Sequence, residues 1–214
     1  MASHRVLHII KGLGRGGAER LLVSTIRNRG AGWSYDVVYF LPTRNALESD
    51  LSSLGCRVRC LSSFGVFGMF LRLPALITIL KRESYDVIHA HLPWSGIIAR
   101  IAGWWTGVPV VYTEHNLFHE YKGLTRLFNR LTYRLQHRVI AVSEQVAEAI
   151  PPRLASGVPV TVVNNGVDCL EFDPSRFNRL QLLRQKGVPE QAVVVGNVAS
   201  IRPQKRMDRW LAVA

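Results

Sequence analysis

Residues 5–27 read RVLHIIKGLGRGGAERLLVSTIR, and this stretch joins an apolar run, a glycine-rich loop and an amphipathic segment. The apolar run 5–10 predicts a buried strand, and the segment 17–29 predicts a helix. Glu19 in the first turn of that helix and Arg27 in its last turn suit the helix dipole. A strand, a glycine turn and a helix in this order are typical of the ligand-binding turn of an α/β protein.

The rest of the chain continues this alternation of strands and helices with short connections. Six further apolar runs predict strands at 35–41, 56–61, 86–91, 108–113, 138–143 and 159–163. Helix-like segments lie between them at 46–54, 69–83, 95–106, 121–137 and 144–150. Most of the strand candidates are continuously apolar, as expected for strands that helices cover on both faces. The order predicts an α/β fold with a doubly wound parallel sheet, a Rossmann-like domain.

The glycine loop has the spacing of a dinucleotide-binding turn, with Gly12, Gly14 and Gly17 in the G-x-G-x-x-G positions. A dinucleotide site also needs an acidic residue at the far end of the second strand, where it binds the ribose. Asp36 has nearly the right separation, but it begins the predicted strand 35–41. The sequence therefore disfavours a nicotinamide or flavin cofactor. Two interpretations stay open, a structural tight turn and a loop whose backbone amides bind another phosphate ligand.

Polar residues gather where the predicted strands end. The fourth strand ends with His89 and His91, the fifth runs into TEHN at 113–116, and the sixth ends in SE at 143–144. Because the ligand crevice of a parallel sheet lies outside the carboxyl ends of its strands, these groups predict a ligand site beside the glycine loop. Strand alternation puts His89 and His91 on one face, and with His115 they offer imidazoles that suit zinc. No cysteine or carboxylate stands at a supporting spacing, so we expect no metal.

Charge and cysteine content limit the partners and the compartment. The 214 residues carry a formal net charge of +12. This charge suits phosphate-bearing ligands or an anionic membrane, and equally a solubilising surface. The arginines are dispersed and no nucleic-acid-binding motif is present, so we expect no nucleic-acid partner. Three cysteines, an odd number, favour a reducing compartment. With no signal peptide visible, we expect a cytoplasmic protein.

The segment FGVFGMFLRLPALITIL at 64–80 is the most apolar part of the chain, but it is too short to span a bilayer. It predicts either a loop followed by a core-packed helix or a helix lying in a membrane interface. In the second interpretation the lipid-facing side chains are Phe64, Phe67, Met69 and Phe70, and the head-group contacts are Arg72, Lys81 and Arg82. Such contact would place the protein peripherally at the inner face of the membrane.

Five motifs in order resemble the retaining glycosyltransferases of family 4. They are GLGRGGAER at 12–20, HAHLP at 89–93, VVYTEHN at 110–116, RVIAVSE at 138–144 and VVNNGVDCLEFDP at 162–174. The resemblance covers nearly the whole chain and implies the two-domain GT-B fold. It also implies hexosyl transfer from a nucleotide sugar to a lipid-linked or saccharide acceptor. The nucleotide sugar is then a substrate, and neither a cofactor nor a metal is implied, in keeping with the absence of an Asp-x-Asp motif.

The same resemblance implies roles for individual residues. His115 matches the histidine that lies near the reacting sugar in the family, and it is expected to be catalytic. Lys205 matches the lysine that neutralises the donor diphosphate. The usual arginine position is Ser200 here, and Arg202 is expected to substitute for it. The other expected substrate-binding residues are Gly14, Gly16, Gly17, Glu19, His91 and Asn116.

The expected domains are an acceptor-side domain at 1–163, an interdomain linker at 164–190 and the start of a nucleotide-sugar-binding domain at 191–214. In the last of these, AVVVGNV at 192–198 predicts a strand with exposed edges. Because the chain stops within the first helix of that domain, we expect a truncated glycosyltransferase that does not transfer sugar by itself. The alternatives are a non-catalytic GT-B fragment or binding module, then a nucleotide-sugar epimerase or an NAD-dependent oxidoreductase.

Overall fold

The computed structural model describes residues 4–199, 201 and 205–213. Contacts divide the chain after Val167 into two compact units. The first unit holds a sheet with helices on both faces, and the second holds short helices. The expected domain bounds at 163 and 190 stay a prediction.

A parallel sheet forms the centre of the first unit. Its strands are β1 (His4–Ile10), β2 (Trp33–Tyr39), β3 (Val58–Cys60), β4 (Val87–His91), β5 (Val110–Glu114), β6 (Arg138–Ala141) and β7 (Val160–Val162). They lie in the order β3-β2-β1-β4-β5-β6-β7, and every neighbouring pair is parallel. The predicted doubly wound α/β fold is confirmed. Because the strand order reverses between β1 and β4, a crevice is expected outside the carboxyl ends of these two strands.

The helices of the first unit depart from the predicted segments at a few points. They are α1 (Gly17–Arg27), α2 (Glu48–Ser53), α3 (Gly65–Leu71), α4 (Leu73–Glu83), α5 (Pro93–Thr106), α6 (Gly123–Thr132), α7 (Glu144–Glu148) and α8 (Pro152–Ala155). The predicted helix 69–83 is two helices that meet at Arg72. Pro74, in the first turn of α4, lacks the N–H that a continuous helix would use there. The predicted helix 121–137 likewise gives way to a 3₁₀ turn at Tyr133–Leu135.

The two faces of the sheet carry separate apolar cores. In the first core α3, α4 and α5 pack on side chains such as Leu7, Ile88 and Tyr112. In the second core α1 and α2 pack on side chains such as Ile10 and Val37. Because side chains alternate along a strand, every strand residue can be assigned to one core or the other.

Asp36 lies in the middle of β2 and not at its start, because the strand begins earlier than predicted, at Trp33. Its carboxylate accepts hydrogen bonds from the Tyr85 hydroxyl at 2.6 Å and from the Arg5 guanidinium at 3.2 Å. These side chains belong to a larger group, the ion network, formed by Arg5, Asp36, Arg57, Arg59, Glu83 and Tyr85. Asp36 is thus engaged on the first-core face, away from the glycine loop.

The second unit contains α9 (Arg179–Gln185) and α10 (Met207–Val213). Residues 192–199, which include the predicted strand, have no regular structure, and the side chains of Val193 and Val198 are exposed. The strand prediction is wrong for this chain. A strand is held by hydrogen bonds to a neighbour, and the described residues of this unit form no strand beside it.

Candidate functional site

The glycine loop links β1 to α1 at the carboxyl edge of the sheet. Its glycines are absent from the positive-φ positions of the described chain, so the backbone conformation does not require them. A Cβ atom at Gly14 or Gly17 would meet no atom within 4 Å. The absent side chains therefore leave open space beside the backbone and the N-terminus of α1, a favourable place for phosphate oxygens.

Gly16 serves a different purpose from its neighbours. It is the N-cap of α1, and the Glu19 carboxylate folds back against it so closely that a Cβ atom would collide with that carboxylate. Glu19 is the third residue of α1, the position that the acidic residue takes in a capping box. The Leu13 N–H also donates to the Arg44 carbonyl at 2.6 Å, which ties the loop to the segment after β2. The expected contact of Glu19 with substrate stays a prediction.

Four histidines form the histidine cluster on the second-core face, and they are His8, His89, His91 and His115. The β1–β4 register places His8 directly beside His89. Ring centroids are 4.9 Å apart for His8 and His89 and 4.3 Å apart for His89 and His91. The expectation that His89 and His91 share a face is therefore confirmed.

Close contacts between ring nitrogens join the histidine cluster. Nδ1 of His8 lies 3.0 Å from Nε2 of His91. Nδ1 of His91 in turn lies 3.5 Å from Nε2 of His115. Nε2 of His89 lies 2.7 Å from the Thr113 hydroxyl. The structure thus brings together His91 and His115, which the sequence placed at the same edge of the sheet.

Burial keeps the imidazoles of the histidine cluster neutral. Loss of hydration lowers the pKa of His89 and of His115 to about 4. It also holds the pKa of His8 and of His91 well below the ordinary value of 6.5, with neighbouring imidazoles adding to the effect. At neutral pH each ring therefore carries one N–H donor and one lone pair. The cluster offers hydrogen bonds to a ligand, not charge.

A metal-ligand arrangement is present, but with a different set of histidines from the one considered above. His8, His89 and His91 each bring one nitrogen into a group whose members lie within 4.8 Å of one another. His8 thus takes the place of His115 in that set. The expectation that the site binds no metal stays a prediction.

A buried carboxylate supports the segment that carries His115. Glu114 is fully buried, and burial raises its pKa. Its Oε1 accepts hydrogen bonds from the hydroxyls of Tyr112 and Tyr121 and from the Asn116 backbone N–H at 3.4 Å. These contacts fix the turn after β5, so that His115 and Asn116 are held at the carboxyl edge.

The backbone after His91 is strained. Leu92 has φ 70° and ψ 151°, a region that residues with a side chain rarely adopt. Such a conformation costs about 1–3 kcal/mol and persists only where the surrounding structure holds it. Pro93 begins α5 directly afterwards. The abrupt turn fixes His91 between the end of β4 and the start of that helix.

The first unit carries most of the expected site residues on adjacent strands. The glycine loop follows β1, His91 ends β4, and His115 and Asn116 follow β5; these three strands are neighbours in the sheet. Lys205 belongs to the second unit and is exposed. Arg202 lies outside the described residues. The roles of both cations in binding a diphosphate stay predictions.

Sequence reasoning missed two residues of this site, His8 and Glu114. The signal for His8 was present, because it is the single polar residue in VLHII at 6–10. Glu114 had a similar signal inside VVYTEHN at 110–116. In each case a polar residue in a buried strand needs a partner, and pairing of the strands decides which partner it meets.

The fold defines this first unit as a Rossmann-like domain. The family model described as Glycosyltransferase Family 4 matches residues 15–170. The chain therefore belongs to that family.

Individual relatives agree with the family match. The chain is 31% identical over 145 residues to UDP-Gal:alpha-D-GlcNAc-diphosphoundecaprenol alpha-1,3-galactosyltransferase of Escherichia coli, with 62% of this chain and 36% of the relative covered. It is 25% identical over 222 residues to the putative glycosyltransferase EpsF of Bacillus subtilis, with 98% of this chain and 57% of the relative covered. The crystal structure of Anabaena HepE in complex with UDP superposes with a TM-score of 0.67 at 21% identity, covering 86% of this chain and 50% of that one.

These alignments also set the scale of the chain. The matched parts cover 36% to 57% of the length of these proteins.

Proposed function

We propose that this chain is the acceptor-side part of a glycosyltransferase that moves a hexosyl group from a nucleotide sugar to an acceptor with retention of configuration. The single observation that carries the proposal is the family match over residues 15–170. Within that range the open glycine loop, His91 and His115 follow three adjacent strands. HepE, a protein of the same fold, has been crystallised with UDP. A nucleotide sugar is thus the proposed class of donor.

The chemistry of the site suits departure of a nucleoside diphosphate. Negative charge builds on the leaving oxygen in the transition state, and donors already aimed at that oxygen lower the barrier. Backbone amides beside Gly14 and Gly17, with the positive end of α1 behind them, are such donors. Lys205 and Arg202 are the proposed cations at the diphosphate. Neutral His115 has a ring N–H that hydrogen-bonds the reacting sugar. No metal is assigned to the reaction.

A transfer assay tests this proposal. Labelled UDP- and GDP-sugars are incubated with a polyprenyl-diphosphate-linked saccharide and one of two proteins. One is the chain itself, and the other is a chimera that continues after residue 214 with the remainder of a family relative. We expect no measurable transfer by the chain alone, because it spans about half of its relatives, and saturable transfer by the chimera. Lys205→Ala in the chimera is expected to reduce transfer at least tenfold, whereas the exposed Lys186→Ala serves as the matched control.

Robust transfer by the chain alone would contradict the proposal that this chain supplies only the acceptor-side part of the enzyme. A chimera that binds nucleotide sugars but transfers nothing to any acceptor would instead favour the non-catalytic binding module.

The acceptor is proposed to be lipid-linked, and the surface of the first unit favours this. One relative acts on a diphosphoundecaprenol-linked sugar. Leu124, Leu127 and Leu131 lie along one side of α6, all at least half exposed, with arginines on the same helix. Three more apolar side chains are exposed nearby: Phe64, just before α3, and Phe67 and Leu71 on α3. These six residues are the apolar surface, and α3 and α6 meet where the rings of Phe70 and Phe128 lie 5.8 Å apart.

This arrangement corrects the membrane-facing residues predicted from 64–80. Met69 is fully buried and belongs to the first core, and Phe70 is partly buried and packs against that core. Leu71 is exposed instead. The membrane interpretation thus keeps Phe64 and Phe67 and gains α6, which the sequence treated as an ordinary helix. None of the described helices has both the length and the apolar character required to cross a bilayer. We accordingly propose peripheral contact with the cytoplasmic leaflet.

Vesicle co-sedimentation tests the contact. The chain is expected to bind vesicles containing phosphatidylglycerol more tightly than neutral phosphatidylcholine vesicles, with the difference shrinking as salt rises. The double substitution Leu127→Ser and Leu131→Ser removes apolar area from the surface and is expected to reduce binding severalfold. Leu170→Ser, at another exposed leucine, which belongs to the second unit, is the control. Equal binding to both vesicle types would count against the contact.

A further inference from the structure

A continuous line of imidazoles runs from the interior of β1 to the segment after β5. His8 is 1% exposed and His91 is 6% exposed. His91 uses both ring nitrogens, with Nε2 at 3.0 Å from Nδ1 of His8 and Nδ1 at 3.5 Å from Nε2 of His115. At the inner end, Nε2 of His8 is buried and has no partner among the described residues. The three rings therefore form one line with a closed inner end and an outer end at the candidate site.

The protons along this line are coupled. Each neutral imidazole has one N–H and one lone pair, so a proton placed on one ring fixes the next. In one direction His8 Nδ1–H donates to His91, and His91 Nδ1–H donates to His115. In the other direction every bond is reversed, and His8 is left with its N–H on the partnerless Nε2.

The inner end selects between these two directions. Orphaned buried N–H groups are rarer in proteins than acceptors that lack a donor. The direction that leaves a bare lone pair at Nε2 of His8 is therefore the favoured one. It leaves Nε2 of His115 as an acceptor and puts the proton of His115 on Nδ1. A free histidine side chain prefers the opposite form, with the proton on Nε2.

We propose that His91 is a positioning residue that, with its proton direction set by the buried end of the line at His8, holds His115 in the Nδ1–H tautomer and so aims one fixed donor at the ligand. The value of this donor to catalysis rests on the proposed function, but the tautomer itself does not.

A metal ion is the competing interpretation, because His8, His89 and His91 hold nitrogens within 4.8 Å of one another. Two observations favour the imidazole line. The His8–His91 nitrogens are already at hydrogen-bonding distance, and the chain carries a formal net charge of +12, which disfavours a buried dication. The test below separates the two.

Nitrogen NMR on the histidine-labelled 214-residue chain at pH 7.5 reads the tautomers directly. We expect His115 and His91 to be Nδ1–H in the unsubstituted chain. Addition of one equivalent of Zn²⁺ is expected to leave the ring-nitrogen shifts of His8 and His91 unchanged. His115 found with its proton on Nε2 would overturn the proposal, and so would a stoichiometric zinc-induced shift of those two rings, which would make the cluster a metal site.

Two substitutions in the line sharpen the measurement. His91→Leu removes the donor to Nε2 of His115, so His115 is expected to shift toward the Nε2–H tautomer. His8→Leu leaves Nε2 of His91 as the partnerless inner end, so the Nδ1–H tautomer of His115 is expected to be retained. His89→Gln changes a cluster histidine outside the line and is the control. An Nδ1–H tautomer that persists in a folded His91→Leu chain would contradict the proposed role.

The chimera supplies a second readout. His91→Leu is expected to lower kcat about tenfold with little change in KM. If the tautomer of His115 follows residue 91 but neither the variant nor the parent transfers sugar, the proposed function fails and the line of imidazoles stands. If transfer occurs and is indifferent to residue 91 while the tautomer changes, the positioning role fails alone.

Discussion

The ion network and the histidine cluster lie on opposite faces of one sheet, and both place polar side chains inside the fold. In the ion network Asp36 and Glu83 are well paired, since Tyr85 and Arg5 bind the first and Arg57, at 2.8 Å, binds the second. Arg59 completes the pairing of Glu83. The histidine cluster has no such charge pairs among the described residues, and its rings are held neutral by burial.

The difference separates a group that stabilises the fold from one available to a ligand. Paired charges have no capacity left to bind a ligand. Glu83 shows this pairing, because its arginine partners lower its pKa although burial raises it. A neutral imidazole offers hydrogen bonds without charge. The histidine cluster lies on β1 and β4, between which the sheet order reverses, and after β5. Four changes to the protein or its conditions test this distinction, and the effect that we expect decreases from the first to the last.

Substitution of His115 is expected to remove activity without removing stability. In the chimera, His115→Ala should lower kcat/KM about 100- to 1,000-fold, or about 3–4 kcal/mol, as for loss of a group that acts in the transition state. Its free energy of unfolding should change by less than about 1 kcal/mol, because the ring is only partly buried. Steady-state kinetics and urea unfolding measure the two. An unchanged kcat/KM would remove His115 from the catalytic residues.

Acidification is expected to destabilise the histidine cluster and not the ion network. The folded pKa values of His89 and His115 are about 4, below the ordinary 6.5. Between these values the unfolded chain binds more protons, so stability falls as pH falls. From pH 7.5 to 5.5 the loss is about 1.3 kcal/mol for each of these two histidines, and His8 and His91 add to it. Glu114, whose pKa is raised, has the opposite effect, because its protonation favours the folded state as pH falls. It is one group against four histidines.

Urea unfolding at the two pH values measures this effect. His89→Asn should reduce the pH-dependent loss of stability by the contribution of one histidine, and the exposed His119→Asn is the matched control. Glu83 adds nothing in this window, because its pKa is lowered from 4.5 and it stays ionised in both states. Equal stability at both pH values would show that the cluster is not kept neutral by burial.

Breaking the ion network is expected to cost stability and spare activity. Asp36→Asn leaves Arg5 and Arg57 with less compensation, and we expect a loss of about 2 kcal/mol at pH 7, since the side chain is mostly buried. Asp50→Asn is the control, because Asp50 forms an exposed pair with Arg20 at 3.7 Å and should change stability by less than about 0.5 kcal/mol. In the chimera, kcat/KM of Asp36→Asn should stay within about threefold. A larger loss of activity would show that the ion network also contributes to the site on the opposite face of the sheet.

The smallest expected effect comes from filling the glycine loop. Gly14→Ala meets no neighbouring atom, so the fold should tolerate it, while the new methyl group occupies space proposed for phosphate. We expect nucleotide-sugar affinity of the chimera to fall about fivefold, or about 1 kcal/mol. Gly16→Ala should instead displace Glu19 and lower stability through the first turn of α1. Calorimetric titration and thermal unfolding separate these outcomes, and unchanged affinity for Gly14→Ala would favour the purely structural turn.

Much of this architecture was readable in the sequence because it depends on local patterns. Continuous apolar runs predicted all seven strands, and the glycine turn after RVLHII at 5–10 placed the start of α1 correctly. The break at Arg72 was missed, since an apolar run of helical spacing does not show where a proline in the first turn will restart the helix. The strand predicted at 192–198 failed for the converse reason, because a strand needs a partner as well as a pattern.

Local patterns were sufficient to show that polar groups end several parallel strands, and hence that His91 and His115 share one edge with the glycine loop. Pairing of the strands was needed to show that His8 joins them and that Asp36 faces the other core. The β1–β4 register sets His8 beside His89, and the β1–β2 register sets Asp36 beside Leu7, whose side chain belongs to the first core. Register and the side of a sheet depend on contacts between residues distant in sequence, here 83 positions apart for His8 and His91. Local composition carries no information on those contacts, because hydrogen bonding across strands and burial against helices fix them together.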